Sequence, residues 1–417
     1  MSWPSAIGHW LLAIGYWLLA MGRPRPMTDF PAILRLPCPG ECGRGMLSFI
    51  HINGYIYMSR IFNFSAGPAI LPEDVLREAQ ADLVDYKGSG MSIMEMSHRG
   101  KEYDAVHQEA LANLRTLLKL PDSHAVLLLQ GGATMQFGMI PMNLLAAGQT
   151  ADYVNAGAWG KKAISEAKLV GNVNVAAKTI GETPSRMPRN AEMKLTPGAA
   201  YLHCTSNETI EGIQMREWPE TDAPLICDMS SDILSRPIPS EKFGLIYAGA
   251  QKNLGPSGVV IVALRKDLVA REPQNLPTML RYSSHLENDS LYNTPPCFSI
   301  YMLALTTRWL LRHGGVEAMQ VVNDRKAGKL YAAIDGSGGY YRGTAAVEYR
   351  SPMNVTFRLP TEELEEAFIK KAAKAGMSGL KGHRSVGGVR ASIYNAFPEA
   401  GVDALIAFMK DFQAANG

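Results

Sequence analysis

A single lysine lies on a glycine-rich turn at the point where a predicted strand ends. Lys252 occurs in Tyr247-Ala-Gly-Ala-Gln-Lys-Asn-Leu-Gly-Pro-Ser-Gly, directly after the strand-like run Gly244-Leu-Ile-Tyr. Sites in α/β proteins form at the carboxyl ends of parallel strands, and small neighbouring residues leave room for a planar ring against the backbone. Lys252 is therefore a candidate for Schiff-base chemistry with a carbonyl group. A solvated lysine on a surface turn is the alternative.

A carboxylate ends the predicted strand that precedes this lysine in the chain. Asp228 closes the run Leu225-Ile-Cys-Asp. On a neighbouring strand end, such a carboxylate could hold a pyridinium nitrogen protonated, and that proton makes pyridoxal 5'-phosphate (PLP) an electron sink. The alternative is a helix cap, because Ser230 and Ser231 follow.

Two other glycine-rich turns follow predicted strands and could hold further parts of the same cofactor. The segment Gln130-Gly-Gly-Ala-Thr-Met-Gln-Phe opens a predicted helix, whose free N–H groups and partial positive charge suit a phosphate. Trp159, in Asn155-Ala-Gly-Ala-Trp-Gly, could stack on a planar ring. A Gly-Gly turn alone is a weak signal, and a core position is the alternative for the tryptophan.

Histidine and arginine are paired in two glycine-rich segments. These are Ser97-His98-Arg99-Gly100 and Gly382-His383-Arg384, with Arg390 shortly after the second. Arginine forks bind carboxylates and phosphates bidentately, so these side chains predict a substrate with two or three negative charges. The alternative is that these are solvated surface arginines. Their position in loops makes this alternative less favourable than it would be on a charged helix face.

Alternating strand-like and helical segments must position these residues. From Met58 onward the pattern indicates an α/β domain with a largely parallel sheet, and beyond about residue 315 it indicates a smaller α+β domain. Strands are predicted at 125–129, 151–154, 173–175, 200–203, 225–227, 244–247, 259–264, 353–358 and 389–394. Helices are predicted to begin near 71 and to cover 106–118, 161–169, 362–374 and 402–412.

Composition excludes several classes of protein. With 417 residues, 47% hydrophobic and 19% charged, the chain is neither disordered nor fibrous. The formal charge of +2 belongs to residues 1–57, and the remainder is neutral, so no nucleic-acid or membrane partner is predicted. Five scattered cysteines fit a reducing compartment, and Cys38 and Cys42 lack further ligands nearby, so no metal site is predicted.

Residues 1–57 differ from the remainder of the chain. Positions 7–20 contain Ile-Gly-His-Trp-Leu-Leu-Ala followed by Ile-Gly-Tyr-Trp-Leu-Leu-Ala, and residues 27–57 are rich in proline and glycine. A signal peptide would need positive charge before its apolar run, and a spanning helix needs roughly 20 uninterrupted apolar residues. We expect an irregular or untranslated extension, with translation starting at Met58; a membrane anchor and a targeting peptide are the alternatives.

Several segments together resemble the phosphoserine aminotransferases, which are class-V aminotransferases of PLP-dependent fold type I. The resemblance runs from about Met58 to the C-terminus and rests on Ile61-Phe-Asn-Phe-Ser-Ala-Gly-Pro-Ala, Met96-Ser-His-Arg-Gly-Lys-Glu, Ser206-Asn-Glu-Thr-Ile-Glu-Gly, Ser235-Arg-Pro-Ile, the Lys252 segment, Tyr292-Asn-Thr-Pro-Pro and Lys381-Gly-His-Arg-Ser-Val-Gly-Gly-Val-Arg-Ala-Ser-Ile-Tyr-Asn-Ala. It implies an aspartate-aminotransferase-like fold. A large PLP-binding domain of residues 73–314 would hold a mostly parallel seven-stranded sheet, and residues 58–72 and 315–417 would form the smaller domain.

The resemblance also implies a role for each candidate residue. Lys252 would bind the cofactor as a Schiff base and carry a proton during the reaction, while Asp228 would pair with the pyridine nitrogen and Trp159 would stack on the ring. The other implied cofactor contacts are Gln251 beside the lysine, Thr209 on the 3-hydroxyl, Ala133 and Thr134 on the phosphate, and Asn293 and Thr294 on the phosphate of the neighbouring subunit in a homodimer. The implied substrate contacts are Arg390 on the α-carboxylate and His98, Arg99, His383 and Arg384 on the distal anion. Some family members carry Gly-Arg in place of Ala133-Thr134, so the phosphate contact is expected to differ in detail.

The activity implied is cytoplasmic, reversible amino transfer between L-glutamate and 3-phosphohydroxypyruvate, giving O-phospho-L-serine and 2-oxoglutarate in serine biosynthesis. The same site would convert 3-hydroxy-2-oxo-4-phosphooxybutanoate to 4-phosphooxy-L-threonine in pyridoxine biosynthesis. A cysteine desulfurase would need a cysteine in the C-terminal third, and none follows Cys297. A transaminase acting on serine or alanine and glyoxylate would not need four basic groups for a distal anion. A catalytically silent PLP-binding protein could lack Lys252 or Asp228, and both are present.

Overall fold

The computed structural model describes residues 50–52, 55–57 and 60–417. Its strands are β1 (Ile50–Ile52), β2 (Tyr55–Tyr57), β3 (Phe62–Asn63), β4 (His124–Leu129), β5 (Thr150–Asn155), β6 (Asn172–Lys178), β7 (Leu202–Thr205), β8 (Asn207–Glu208), β9 (Ile213–Gln214), β10 (Leu225–Asp228), β11 (Phe243–Gly249), β12 (Val260–Arg265), β13 (Arg342–Gly343), β14 (Asn354–Arg358), β15 (Met377–Ser378) and β16 (Val389–Ser392). Its α-helices are α1 (Glu73–Asp82), α2 (Lys101–Leu118), α3 (Gly132–Leu144), α4 (Ala158–Ala167), α5 (Tyr282–Glu287), α6 (Cys297–Arg312), α7 (Gly315–Asp335), α8 (Glu362–Lys374) and α9 (Glu399–Asn416).

A seven-stranded sheet forms the centre of the fold. Its strand order is β4-β12-β11-β10-β7-β5-β6. Only the two pairings made by β12 are antiparallel, so the other six strands run in one direction. Every residue of β4 and β11 is buried, because helices cover both faces of the sheet. The prediction of a mostly parallel seven-stranded sheet is confirmed.

Side chains of the sheet alternate between two hydrophobic cores. In β4, Val126 and Leu128 belong to the core that also includes α2 and α6, while Leu127 and Leu129 belong to the core that includes α3 and α4. This division follows from the two-residue period of a strand. The predicted apolar face of α2 is likewise buried along its length; it comprises Val106, Ala110, Leu114 and Leu117.

A third core lies in the part of the fold formed by both ends of the described chain. A three-stranded antiparallel sheet, β13-β14-β16, contributes to it together with α7, α8 and α9. Phe64 and Ile70 belong to this core, and β3 pairs with β15. The predicted strand at 353–358 and helix at 362–374 are confirmed by β14 and α8. The division at residues 72/73 and 314/315 stays a prediction.

The prediction for the N-terminal region can be compared with the structure only at β1 and β2, which are the described part of residues 1–57. These strands pair antiparallel, with Ile50 opposite Tyr57, so the prediction of irregular backbone is wrong there. Residues 1–49, 53–54 and 58–59, with the Cys38 and Cys42 pair, lie outside the described residues. Among the helices described, none is both long and apolar enough to cross a membrane. The described residues also contain no group of three or more side chains that could hold a metal.

One buried lysine ties α7 to the chain that follows β16. Lys326 is fully buried. Its Nζ donates hydrogen bonds to the backbone carbonyls of Ile393 at 3.1 Å, Tyr394 at 2.8 Å and Phe397 at 3.2 Å. A lysine in the core is tolerated only when its donors are satisfied, and here all three are.

Replacing Lys326 with methionine should therefore destabilise the fold although it preserves side-chain length. The three carbonyls would lose their donor, and a buried polar group left unpaired costs about 1–3 kcal/mol, so we expect the free energy of unfolding to fall by about 3 kcal/mol or more. Urea denaturation measures this, with the exposed Lys410→Met in α9 as the control. Equal stabilities of the two variants would contradict the assigned role.

Candidate active site

Several of the predicted site residues meet at the carboxyl edge of the central sheet. The parallel strands β4, β5, β7, β10 and β11 all end there, and in register Asp228 of β10 lies opposite Thr205 of β7 and Tyr247 of β11. The residues that follow these strand ends surround a cleft of about 490 Å³. Its lining comprises Gly132, Ala133, Thr134, Trp159, Thr205, Asn207, Asp228, Ser230, Ser231, Gln251 and Lys252.

Lys252 presents its amine inside this cleft. Its Nζ donates a hydrogen bond to Thr209 Oγ1 at 3.2 Å and lies 5.4 Å from the centre of the Trp159 ring. Burial lowers the pKa of Lys252, while the carboxylates of Asp228 and Glu208 oppose that effect. A lowered pKa enlarges the neutral, nucleophilic fraction of the amine at neutral pH. The turn thus places a reactive lysine where the sequence predicted one.

Asp228 is almost fully buried, and among the described residues only one of its oxygens has hydrogen-bond partners. Its Oδ1 accepts hydrogen bonds from the backbone N–H of Ser230 at 2.9 Å and from the Ser230 hydroxyl at 2.6 Å. The predicted alternative of a local cap is therefore partly right, although the segment capped is a turn. Oδ2 accepts no hydrogen bond from any described residue, and burial raises the pKa of the carboxyl group. A cationic ring nitrogen would both satisfy Oδ2 and favour the ionised form.

The other cleft residues supply an aromatic face and an anion site. Trp159 lies in the first turn of α4, half-buried against the cleft, and its buried indole N–H has no partner among the described residues. Gly131 and Gly132 have φ angles of 81° and 62°, left-handed values that suit glycine. They lead into the N-terminus of α3, where Ala133 and Thr134 lie, and free N–H groups there suit a phosphate.

An amine, a carboxylate with a free oxygen, an aromatic face and a helix N-terminus in one cleft together fit PLP. Each chemical group of that cofactor would have a counterpart here: Lys252 for the aldehyde, Asp228 for the ring nitrogen, Trp159 for the ring face and the start of α3 for the phosphate. These are the features that the sequence placed after separate strands.

A second cavity beside the cleft carries basic residues. Arg390 of β16, His383 and Glu211 line it. The Nε of Arg390 is buried without a hydrogen-bond partner among the described residues, so an incoming anion would satisfy it. The backbone N–H of Ser385 donates to His383 Nδ1 at 3.3 Å, which leaves Nε2 as the donor of the neutral ring. Burial, with Arg390 and Arg384 nearby, lowers the pKa of His383.

Some predicted site residues lie elsewhere in the single chain. Arg384 lines an outer, solvent-exposed groove together with His383. Four predicted site residues line neither the cleft, nor the second cavity, nor that groove: His98, Arg99, Asn293 and Thr294. Asn293 instead pairs reciprocally with Gln130 at the end of β4, at 3.1 and 3.4 Å. The predicted contribution of Asn293 and Thr294 to a neighbouring subunit stays a prediction.

The structure adds cleft residues that the sequence analysis did not assign. Thr205, Asn207, Ser230 and Ser231 line the cleft. The Asn207 amide donates to Ser231 Oγ at 2.8 Å and to Asn354 Oδ1 at 2.8 Å, which connects the cleft to β14. The sequence did contain a pattern that could have indicated these residues, since small polar residues follow each of the predicted strands 200–203 and 225–227.

Comparison with known proteins gives consistent matches. The family described as Aminotransferase class-V matches residues 61–405. A phosphoserine aminotransferase of Niallia circulans is 56% identical over 359 residues, which cover 86% of this chain and 99% of that protein. The structure of phosphoserine aminotransferase from Bacillus circulans subsp. alkalophilus is 56% identical, with a TM-score of 0.85 over 86% of this chain and 99% of that one. PLP-bound phosphoserine aminotransferase from Trichomonas vaginalis is 40% identical, with a TM-score of 0.80 over 84% of this chain and 100% of that one.

These matches confirm the predicted fold, cofactor and enzyme class. The fold is that of the type I PLP-dependent transferases, and the cofactor is PLP. The enzyme is an aminotransferase, as the sequence resemblance implied. Identities above 50% over nearly the whole length of a relative, together with the cleft around Lys252, show that this chain belongs to the phosphoserine aminotransferase family of class-V aminotransferases.

Proposed function

We propose that this enzyme transfers the amino group between L-glutamate and 3-phosphohydroxypyruvate, giving O-phospho-L-serine and 2-oxoglutarate. The observation that carries this proposal is the basic cavity beside the Lys252 cleft. Arg390 and His383 line that cavity, and Arg390 is near enough to Lys252 to add to the lowering of its pKa by burial. A substrate with an α-carboxylate and a distal anion therefore has cationic partners next to the reactive amine. Both of the relatives that are 56% identical are named phosphoserine aminotransferases.

The residues of the cleft divide the chemistry between them. When bound, PLP supplies an electron sink that stabilises negative charge at the substrate Cα. Lys252 Nζ would hold the cofactor as a Schiff base, and the same nitrogen would carry the proton that leaves the substrate Cα. Thr209, within 3.2 Å of Nζ, orients the lysine. Asp228 would keep the ring nitrogen protonated, and Trp159 would fix the ring plane. The two amino acid substrates would use this one set of residues in turn, in a ping-pong sequence.

The substrate binds through charge-assisted hydrogen bonds in this proposal. Arg390 holds the α-carboxylate, since its Nε is buried without a partner among the described residues and its charge acts on Lys252. His383 and Arg384 hold the distal anion, which is a phosphate in one substrate and a carboxylate in glutamate. His98 and Arg99, which line none of these cavities in the single chain, would complete that site in the assembled enzyme.

Several finer features belong to the same proposal. A homodimer would let Asn293 and Thr294 reach the cofactor phosphate of the neighbouring subunit. The distal anion site would also accept 3-hydroxy-2-oxo-4-phosphooxybutanoate, because its phosphate is similarly placed, and would link the enzyme to pyridoxine biosynthesis as well as serine biosynthesis. We place the enzyme in the cytoplasm and divide it into a large domain at 73–314 and a small domain from 58–72 and 315–417. The third hydrophobic core, shared by both ends of the described chain, supports that division.

Replacing Lys252 with alanine should abolish both turnover and covalent cofactor attachment. Without the amine neither the covalent bond nor the proton transfer can form, so we expect kcat with phosphoserine and 2-oxoglutarate to fall by at least about 10³-fold. Intact mass after borohydride reduction should show a retained cofactor in the wild-type protein and in the exposed Lys266→Ala control, but not in Lys252→Ala. A reduced adduct that survives in Lys252→Ala would place the Schiff base on another residue.

Replacing Arg384 with alanine should weaken discrimination between phosphoserine and serine. One charge-assisted hydrogen bond is worth about 1.5–3 kcal/mol, so kcat/KM for phosphoserine should fall by about 10- to 100-fold. The value for serine should change little, because serine has no distal anion. The exposed Arg312→Ala in α6 is the control for loss of a positive charge. An unchanged ratio of the two kcat/KM values would refute the role given to Arg384.

A further inference from the structure

Two carboxyl groups accept hydrogen bonds from the backbone of the first turn of α4. Glu208 Oε2 accepts the backbone N–H of Trp159 at 3.0 Å, and Glu208 Oε1 accepts that of Gly160 at 2.8 Å. Glu211 Oε1 accepts the backbone N–H of Ala158 at 2.9 Å. Three of the N–H groups that a helix leaves free at its N-terminus are thus satisfied from a distant segment. The backbone that carries the Trp159 ring is consequently held by this acid pair.

Gly157 allows the two carboxyl groups to lie side by side. A Cβ at this position would come within 2.5 Å of Glu208 Cδ and within 2.5 Å of Glu211 Oε2. Both acids therefore pack against the bare backbone of one residue. The glycine-rich composition of Asn155-Ala-Gly-Ala-Trp-Gly has a second cause here, beyond the room it leaves for a cofactor ring.

Two negative charges at this place would be costly. Glu208 is fully buried, and Glu211 Oε2 is buried without a hydrogen-bond partner among the described residues. The charged groups that face the pair are Asp228 and Lys252 on the side of Glu208 and Arg390 on the side of Glu211. Burial, and then the neighbouring Glu211 carboxylate, raises the pKa of Glu208, and burial raises the pKa of Glu211 as well. Adjacent buried carboxylates of this kind share a proton in preference to both ionising.

We propose that Glu208 and Glu211 share one proton and, as a singly charged pair, act as positioning residues that hold Trp159 at the cofactor cleft. One negative charge suits three N–H donors and the positive end of the α4 dipole. Loss of this shared proton would leave two adjacent carboxylates, whose repulsion would separate the acids and release the turn that carries the indole. The inference depends on the cofactor cleft and not on the identity of the amino acid substrate.

A shared proton has a definite consequence for stability. The folded pair keeps its proton at pH values where glutamates in the unfolded chain have lost theirs. Since the folded state then binds more protons than the unfolded state, the free energy of unfolding decreases as pH rises from the ordinary glutamate range to the raised pKa of the pair. Glutamine at either position removes one titrating carboxyl group and the repulsion between the two acids, so the dependence of stability on pH becomes weaker.

The experiment compares the pH dependence of the thermal midpoint Tm between pH 5 and 9 in wild type, Glu208→Gln and Glu211→Gln holoenzymes. Each variant should flatten the decline of Tm with pH that the wild type shows, and either one suffices if the other fails to fold. Glu166→Gln, which removes an exposed acid from the same helix, is the matched control and should keep the wild-type decline. Variants of the pair that decline as the wild type does would overturn the shared proton.

A second measurement tests positioning independently of turnover. Glutamine retains a carbonyl acceptor for the α4 backbone, whereas alanine retains none. The visible circular dichroism of bound PLP and its dissociation constant should therefore lie closer to wild type in Glu208→Gln than in Glu208→Ala, because the amide keeps one of the two oxygens that accept the N–H groups of Trp159 and Gly160. In Glu208→Ala we expect a weakened dichroism signal and a dissociation constant raised by at least about tenfold, because the N–H groups of Trp159 and Gly160 both lose their acceptor. Wild-type dichroism and affinity in Glu208→Ala would overturn the positioning role.

Discussion

The parallel alignment of strands at one edge of the central sheet is the constraint on which the rest of the site depends. Parallel strands place their carboxyl ends together, so turns that are far apart in sequence meet there. Residues after β4, β5, β7, β10 and β11 line a single cleft for this reason. The antiparallel β12 does not disturb the arrangement, because its amino end lies at the same edge and pairs Val260 with Gly249 just before the Lys252 turn.

Positive and negative side chains lie close together in the cleft and partly neutralise one another. Lys252 lies among the carboxylates of Asp228 and Glu208 and the guanidinium of Arg390. Burial alone would favour the neutral form of every one of these groups, so each depends on its neighbours to keep a useful ionisation state. The positive charges of this site are already partly neutralised by its carboxylates before the cofactor phosphate and the anionic substrate bind. This neutralisation lowers the free-energy cost of folding the empty site.

Sequence patterns predicted the parts of the fold in which local and tertiary preferences agree. The bounds of α8 match the predicted helix at 362–374, because Thr361 caps it, acids occupy its first turn and lysines its last. Helix α6 was not predicted, and it is buried on most sides, so its sequence lacks a clear amphipathic period. Lys252, Asp228 and Trp159 could be found because each follows its own strand. Glu208 and Glu211 could not be assigned, since their partners lie about 50 residues away and only the folded chain brings them to α4.

The position of Arg390 is set by polar connections that cross from the cleft to the third core. Asn207 in the cleft wall donates to Asn354, whose own amide donates to Ser392 Oγ at 3.0 Å. Asn354 is opposite Ser392 in the β14–β16 ladder, two residues from the pairing of Thr356 with Arg390. Because these amides are buried, breaking the connection would leave donors unpaired at both ends. The position of Arg390 relative to the cleft is therefore fixed by hydrogen bonds in the core.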